Sequence, residues 1–174
     1  DISKNRYVVG VRPDKTYWQG HDVTCFEIPA PLQFDTNKMV GYMDVWDYWM
    51  AVFVEAVQDP YVSTIVVDTM TLLTKYKRDA YLEELQKRGG APRKQLQQIE
   101  YGHPDGQIRS IFTFAQALGK NLVVTHHLRD VYGQIMKDGK LDNGPTGALE
   151  HDGVRDIMRL VDVLMAFPGI LLAI

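Results

Sequence analysis

The sequence holds a single cysteine, Cys25, and no CxxC pair or Cys/His ligand framework. An internal disulfide is excluded, a thiolate zinc site is excluded with it, and a reducing compartment, the cytoplasm, is expected. No apolar run approaches the roughly 18 residues that a membrane helix requires, and Asp1–Gly10 lacks the basic-then-apolar order of a secretory leader. Neither a membrane span nor a membrane partner is expected. Charge of one sign is also missing: 19 Lys and Arg against 22 Asp and Glu leave a net charge of −3. Such a chain exerts no bulk pull on nucleic acid, so any DNA or RNA binding must come from a local patch. Internal repeats and low-complexity tracts are absent. What is present is an ordinary globular composition, 45% hydrophobic and 24% charged over 174 residues. Residues 1–174 are therefore read as one domain with its own core.

The hydrophobic pattern alternates between two periods. Val23–Ile28 (VTCFEI) is β-prone and closed by Pro29 and Pro31. From about Met43 to Gln58, Val45, Trp46, Trp49, Met50, Phe53 and Val57 recur at helical steps, with Asp44 near the positive end and Asp59-Pro60 as the stop. At that spacing Trp46 and Trp49 are core residues before they are base-stacking ones. Thr64–Asp68 (TIVVD) reads as a strand buried on both faces. The chain is then polar from Leu72 to about Gly106, and Lys75–Arg109 carries eight cations against five acids, a solvated charged segment or a mild basic patch. Ile108, Ile111, Phe112, Ala115 and Leu118 trace a second helix ended by Gly119. Asn121–Thr125 (NLVVT) is strand-like, Arg129–Gly153 is a long loop or hairpin, and Val161–Phe167 is a third strand. This order predicts an α/β domain with a mostly parallel central sheet, the Val66 and Val123 strands parallel across the second helix.

Two strand ends carry chemistry. Ile65-Val66-Val67 ends in Asp68 and Thr69, and a carboxylate at the carboxyl end of a central strand lies where open α/β sheets bind ligands and can hold Mg2+ through water. The neighbouring strand ends in Thr125, His126 and His127, so polar groups converge on the same edge. Arg129, Tyr132, Lys137 and Lys140 lie among Gly133, Gly139, Gly144 and Gly147, which predicts a mobile loop presenting cations and one stacking ring to single-stranded DNA.

The order VTCFEIP, amphipathic helix, TIVVDTMTLL, basic insertion, YGHPDGQIRSIF, GKNLVVTHH, then PTGALEHDGVRDIMRLVDVLMAF, resembles the phage RecA-like ATPases of recombination and single-strand annealing over residues 22–167. The resemblance implies a RecA-like three-layer core that binds and hydrolyses ATP with Mg2+ on single-stranded DNA. It also implies a homo-oligomer with nucleotide at subunit boundaries, in the host cytoplasm if phage-encoded. Asp68 with Thr69 would serve the nucleotide-bound magnesium, Thr125 with His126 would sense the γ-phosphate, and the loop after them would touch DNA. The departure is the phosphate loop. Gly10–Thr16 (GVRPDKT) has Lys15 and Thr16 but is one residue short of GxxxxGK[ST] and has Asp14 in place of the second glycine. Either a phosphate loop precedes the sequence shown or the core is degenerate. Two rival readings follow: a catalytically inactive RecA-like scaffold, and a metal-dependent hydrolase drawing ligands from Asp68, His103, His126, His127 and His151.

Overall fold

The computed structural model describes residues 26–31, 38–137, 140–154 and 157. The first apolar stripe forms helix α1, Tyr42–Gln58, with Val45, Trp46, Trp49, Phe53 and Val57 buried and Asp44 in the first turn. Its aromatic side chains stack along one face, Trp46 on Trp49 at 5.5 Å and Trp49 on Phe53 at 5.1 Å between centroids. The helix stops at Asp59 as expected. Lys120 caps the exit by donating from Nζ to the Asp59 and Val62 carbonyls, both at 2.6 Å.

Strands β1, Thr64–Val67, and β2, Asn121–Val124, pair in parallel from Thr64↔Asn121 to Val67↔Val124. The predicted parallel pairing is therefore observed. Burial is one-sided among the described residues. Val67 is buried and Ile65, Leu122 and Val124 pack on the core, while Val66 and Val123, side by side in the register, are 53% and 49% exposed.

The crossover holds two helices where the sequence pattern indicated one. Helix α2, Met70–Lys87, occupies most of the segment read as polar. Its buried face is Met70, Leu73, Thr74, Lys77, Ala80, Leu82 and Glu83, and three of those seven are polar, so the stripe is hidden from a hydrophobicity count. The two charged members are accommodated by their neighbours, while the buried Thr74 hydroxyl has no partner among the described residues. Lys77 lays its ammonium 4.6 Å from the Trp46 ring centroid, and Glu83 accepts from the Met43 amide at 3.0 Å and pairs with Lys87 at 2.9 Å. The helix ends in a glycine C-cap, Gly89 at φ 96, with Gly90 N donating to Leu85 O at 2.9 Å and Gly89 N to Gln86 O at 3.1 Å. Helix α3, Gly102–Ala117, begins earlier than its apolar stripe, with Pro104 in the first turn, and closes with the same motif around Gly119 at φ 67.

Side chains from α1, β1, α2 and α3, with Val154 and Ile157, make one core, and Met39, Leu82 and Leu96 a smaller one beside it. The stretch expected as a mobile loop is a regular antiparallel hairpin, β3, Leu128–Lys137, and β4, Lys140–His151, with an irregularity between Asp130 and Tyr132. Two of its glycines, Gly133 and Gly144, pair across the strands, and their missing Cβ atoms leave room for Thr146 and Ile135. The fold is thus broadly α/β, helices on a small parallel sheet plus an antiparallel hairpin. Of the remaining expected elements, Phe26–Ile28 shows no strand pairing, while Val23–Cys25, Val161–Phe167 and the Gly10–Thr16 segment lie outside the described residues.

Candidate functional site

Because β1 and β2 are parallel and in register, the residues that follow them, Asp68 and Thr125, emerge side by side at one edge of the sheet. The Thr125 hydroxyl donates to Asp68 Oδ1. Backbone bonds hold the two ends together: Thr125 N donates to Val67 O at 3.1 Å, and Met70 N, the first amide of α2, donates to Thr125 O at 2.8 Å. Thr69, expected beside the metal, serves as the N-cap of α2, its Oγ1 accepting from Leu72 N at 3.3 Å. The Asp68–Thr69 peptide is cis. Asp68 is half-buried and Thr125 exposed. Asp68 Oδ2 has no partner among the described residues, and the positive end of α2 opens on the same edge.

His126 turns the other way. Its Nδ1 lies 3.4 Å from the Asp152 carbonyl, its ring meets His151 edge-on at 5.3 Å, and Gly153 packs against it closely enough that a Cβ there would sit 3.2 Å from His126 Cε1. Burial lowers the His126 pKa, the Asp152 hydrogen bond opposing that shift, so the ring is neutral at pH 7. A neutral ring donating from Nδ1 leaves Nε2 as an acceptor, and that atom is buried with no partner among the described residues. In this arrangement His126 braces the hairpin base and offers no donor to a phosphate. Of the two residues expected as sensors, Thr125 alone stands beside Asp68.

The five residues proposed as metal ligands do not converge: no group of three or more His, Cys, Asp or Glu that could hold a metal ion occurs among the described residues. His103 stacks on Tyr81 at 4.6 Å at the start of α3, and His151 Nε2 faces Val154 O at 3.0 Å.

The four residues expected to contact DNA all lie on the hairpin. Arg129 is engaged there, 2.8 Å from Glu150 and 3.6 Å from Asp152, which reduces its value as a phosphate contact. Tyr132 is 67% exposed, and Lys137 and Lys140 are register partners at the turn. Leu128, Tyr132, Met136, Leu141 and Leu149 are all more than half exposed and fall on one face by strand alternation. The i, i+4 and i+8 spacing of Leu128, Tyr132 and Met136 was a legible signal for that face. The basic insertion is largely self-neutralised: Arg78 binds Asp105 at 2.9 Å, Arg93 binds Glu100 at 2.7 Å, and Arg88 binds Glu84 at 2.5 Å. Thr71, which sequence reasoning passed over, links the two halves of the site. Its Oγ1 donates to Asp152 O at 2.7 Å and accepts from His127 N at 2.9 Å.

No family model, no curated protein and no solved structure matches this chain. Among the described residues no helix is long and apolar enough to cross a membrane.

Proposed function

We propose that this chain is the core of a RecA-like ATPase acting on single-stranded DNA, with ATP and Mg2+ at the Asp68–Thr125 edge and DNA on the β3–β4 hairpin. The observation that carries the reading is the direct hydrogen bond between the residues ending two parallel in-register strands. Ligands of open α/β sheets bind at that edge. The donor set fits Mg2+, which keeps most of its waters and takes one or two carboxylates plus substrate phosphates instead of an all-protein cage. Asp68 Oδ2 is the oxygen available to such a water shell, and the bound ion would neutralise charge on the phosphates. Thr125, by donating to Oδ1, holds the carboxylate in one rotamer. The hairpin starts three residues after Thr125, so DNA and nucleotide would act at neighbouring points of the chain, the end of β2 and the start of β3. By the resemblance, the working form is a homo-oligomer in the cytoplasm.

The test is ATP hydrolysis by the full chain, with and without single-stranded DNA, for the wild type and Asp68→Asn. Expected is DNA-stimulated hydrolysis that the substitution abolishes while urea unfolding stays cooperative. Hydrolysis unchanged by Asp68→Asn would remove the magnesium assignment, and nucleotide binding without turnover would favour the scaffold reading. A chain that binds no nucleotide would overturn the proposal.

A further inference from the structure

Thr71 lies three residues past Asp68, inside the first turn of α2. Its single hydroxyl serves both ends of the hairpin at once, donating to Asp152 O at the exit (2.7 Å) and accepting from His127 N at the entrance (2.9 Å). Asp152 N in turn donates to His127 O at 2.8 Å, so three hydrogen bonds close a ring across the hairpin base. On its other side the same turn of helix is tied to the sheet edge: Met70 N donates to Thr125 O at 2.8 Å, and the Thr125 hydroxyl donates to Asp68. A continuous path of short polar contacts therefore runs from the Asp68 carboxylate through Thr125 and the head of α2 to both strands of the hairpin.

Among aliphatic side chains of this size, only a hydroxyl donates and accepts together. Packing alone would be met equally well by valine, which has the shape of threonine but neither function. We propose that Thr71 is a positioning residue whose hydroxyl keeps the hairpin base in register with the Asp68–Thr125 pair, so that a ligand held by the hairpin is felt at the carboxylate. The inference rests on the reading that the hairpin binds single-stranded DNA. A displacement of the hairpin base moves Asp152 O and His127 N together. Thr71 follows because it holds both, and Met70 carries the displacement to Thr125. Thr71 is half-buried and His127 exposed, so water can take up the two backbone groups that a valine would release, and the fold is expected to survive the substitution.

The experiment is amide hydrogen exchange on the full chain, with and without oligo(dT), followed in peptides covering residues 66–73 and 128–151. It is run on the wild type, Thr71→Val and Thr71→Ser, with a further peptide, 124–130, reporting the His127 amide. In the wild type oligo(dT) slows exchange in both peptides, that of 66–73 by about fivefold or more, the low end of ordinary coupling between sites. Thr71→Val keeps the hairpin protection and loses the effect at 66–73, and its His127 amide exchanges faster even without DNA. Thr71→Ser, which retains the hydroxyl, behaves as the wild type. Transmission to 66–73 in Thr71→Val, its loss in Thr71→Ser, or a wild type protected at the hairpin alone would each overturn the proposal. A wild type whose hairpin is not protected at all removes the DNA reading itself, and this inference with it.

Discussion

Asp79 gives the sharpest stability prediction. It lies on α2 beside Tyr42, and burial raises its carboxyl from the ordinary 3.8 to about 6 against the opposing pull of Lys75 and Arg78. Arg78 is committed elsewhere, its guanidinium gripping both oxygens of Asp105 at 2.9 and 3.1 Å, so Asp79 is stabilised only through space. A carboxyl whose pKa is higher folded than unfolded binds its proton more tightly in the native state. Its contribution favours folding fully below pH 3.8 and is lost as pH rises to about 6. A rise of that size would correspond to roughly 3 kcal/mol at about 1.4 kcal/mol per pKa unit. The group is only half-buried, so solvent screening reduces the expected effect to about 1–2 kcal/mol. Asp79→Asn replaces the titrating group by a neutral isostere. Urea unfolding of both proteins from pH 3.5 to 8 should show the variant and wild type equal at the acid end, provided both are folded there. The variant should then gain between about pH 4 and 6, and hold a constant lead of about 1–2 kcal/mol above that. A stability difference independent of pH, or a variant less stable at pH 8, would refute the assignment of Asp79 as a half-buried carboxylate without a direct partner.

Three further outcomes are expected. Trp49→Ala, which removes the middle ring of the α1 stack, should cost about 3–5 kcal/mol in chemical unfolding, and a loss below about 1 kcal/mol would mean that the stack is not core. Gly119→Ala places a Cβ at φ 67 and should cost about 1–2 kcal/mol in the same assay, with little change in the midpoint arguing against the left-handed cap. Changing Lys137 and Lys140 together to Ala should weaken single-strand binding and reduce its salt slope by roughly 0.7 per lost phosphate contact, while an unaltered slope would take the hairpin tip out of the DNA interface.

Where side chains and period agreed, the sequence was sufficient. α1 was readable because its buried face is wholly apolar from Val45 to Val57, and the Asp59-Pro60 stop is local chemistry. β1 and β2 were readable as β-branched runs, and their parallel pairing followed from a crossover too long for a hairpin. The end of α3 at Gly119 follows from the freedom of glycine at positive φ, a property of the residue wherever it lies. α2 escaped because Thr74, Lys77 and Glu83 belong to its buried face, and the burial of the two charged ones depends on Trp46, Met43 and Lys87, two of them on another helix. A polar residue is judged by the partner it finds, and the partner is a tertiary fact; the Gly89-Gly90 pair was the local sign of a helix end there. The hairpin escaped for a related reason: five glycines from 133 to 153 read as freedom, whereas cross-strand pairing of Gly133 with Gly144 uses their lack of a Cβ for close approach. At the site, residue types alone pointed to Asp68 and Thr125, since a carboxylate and a hydroxyl after apolar strands need only strand direction to meet. That Thr69 caps a helix, that His126 turns from the sheet edge to Asp152, and that Thr71 joins the edge to the hairpin were decided by the fold. Each of those side chains has more than one backbone group within possible reach, and only the placement of the first turn of α2 beside Thr125 and the hairpin base selects which one it meets.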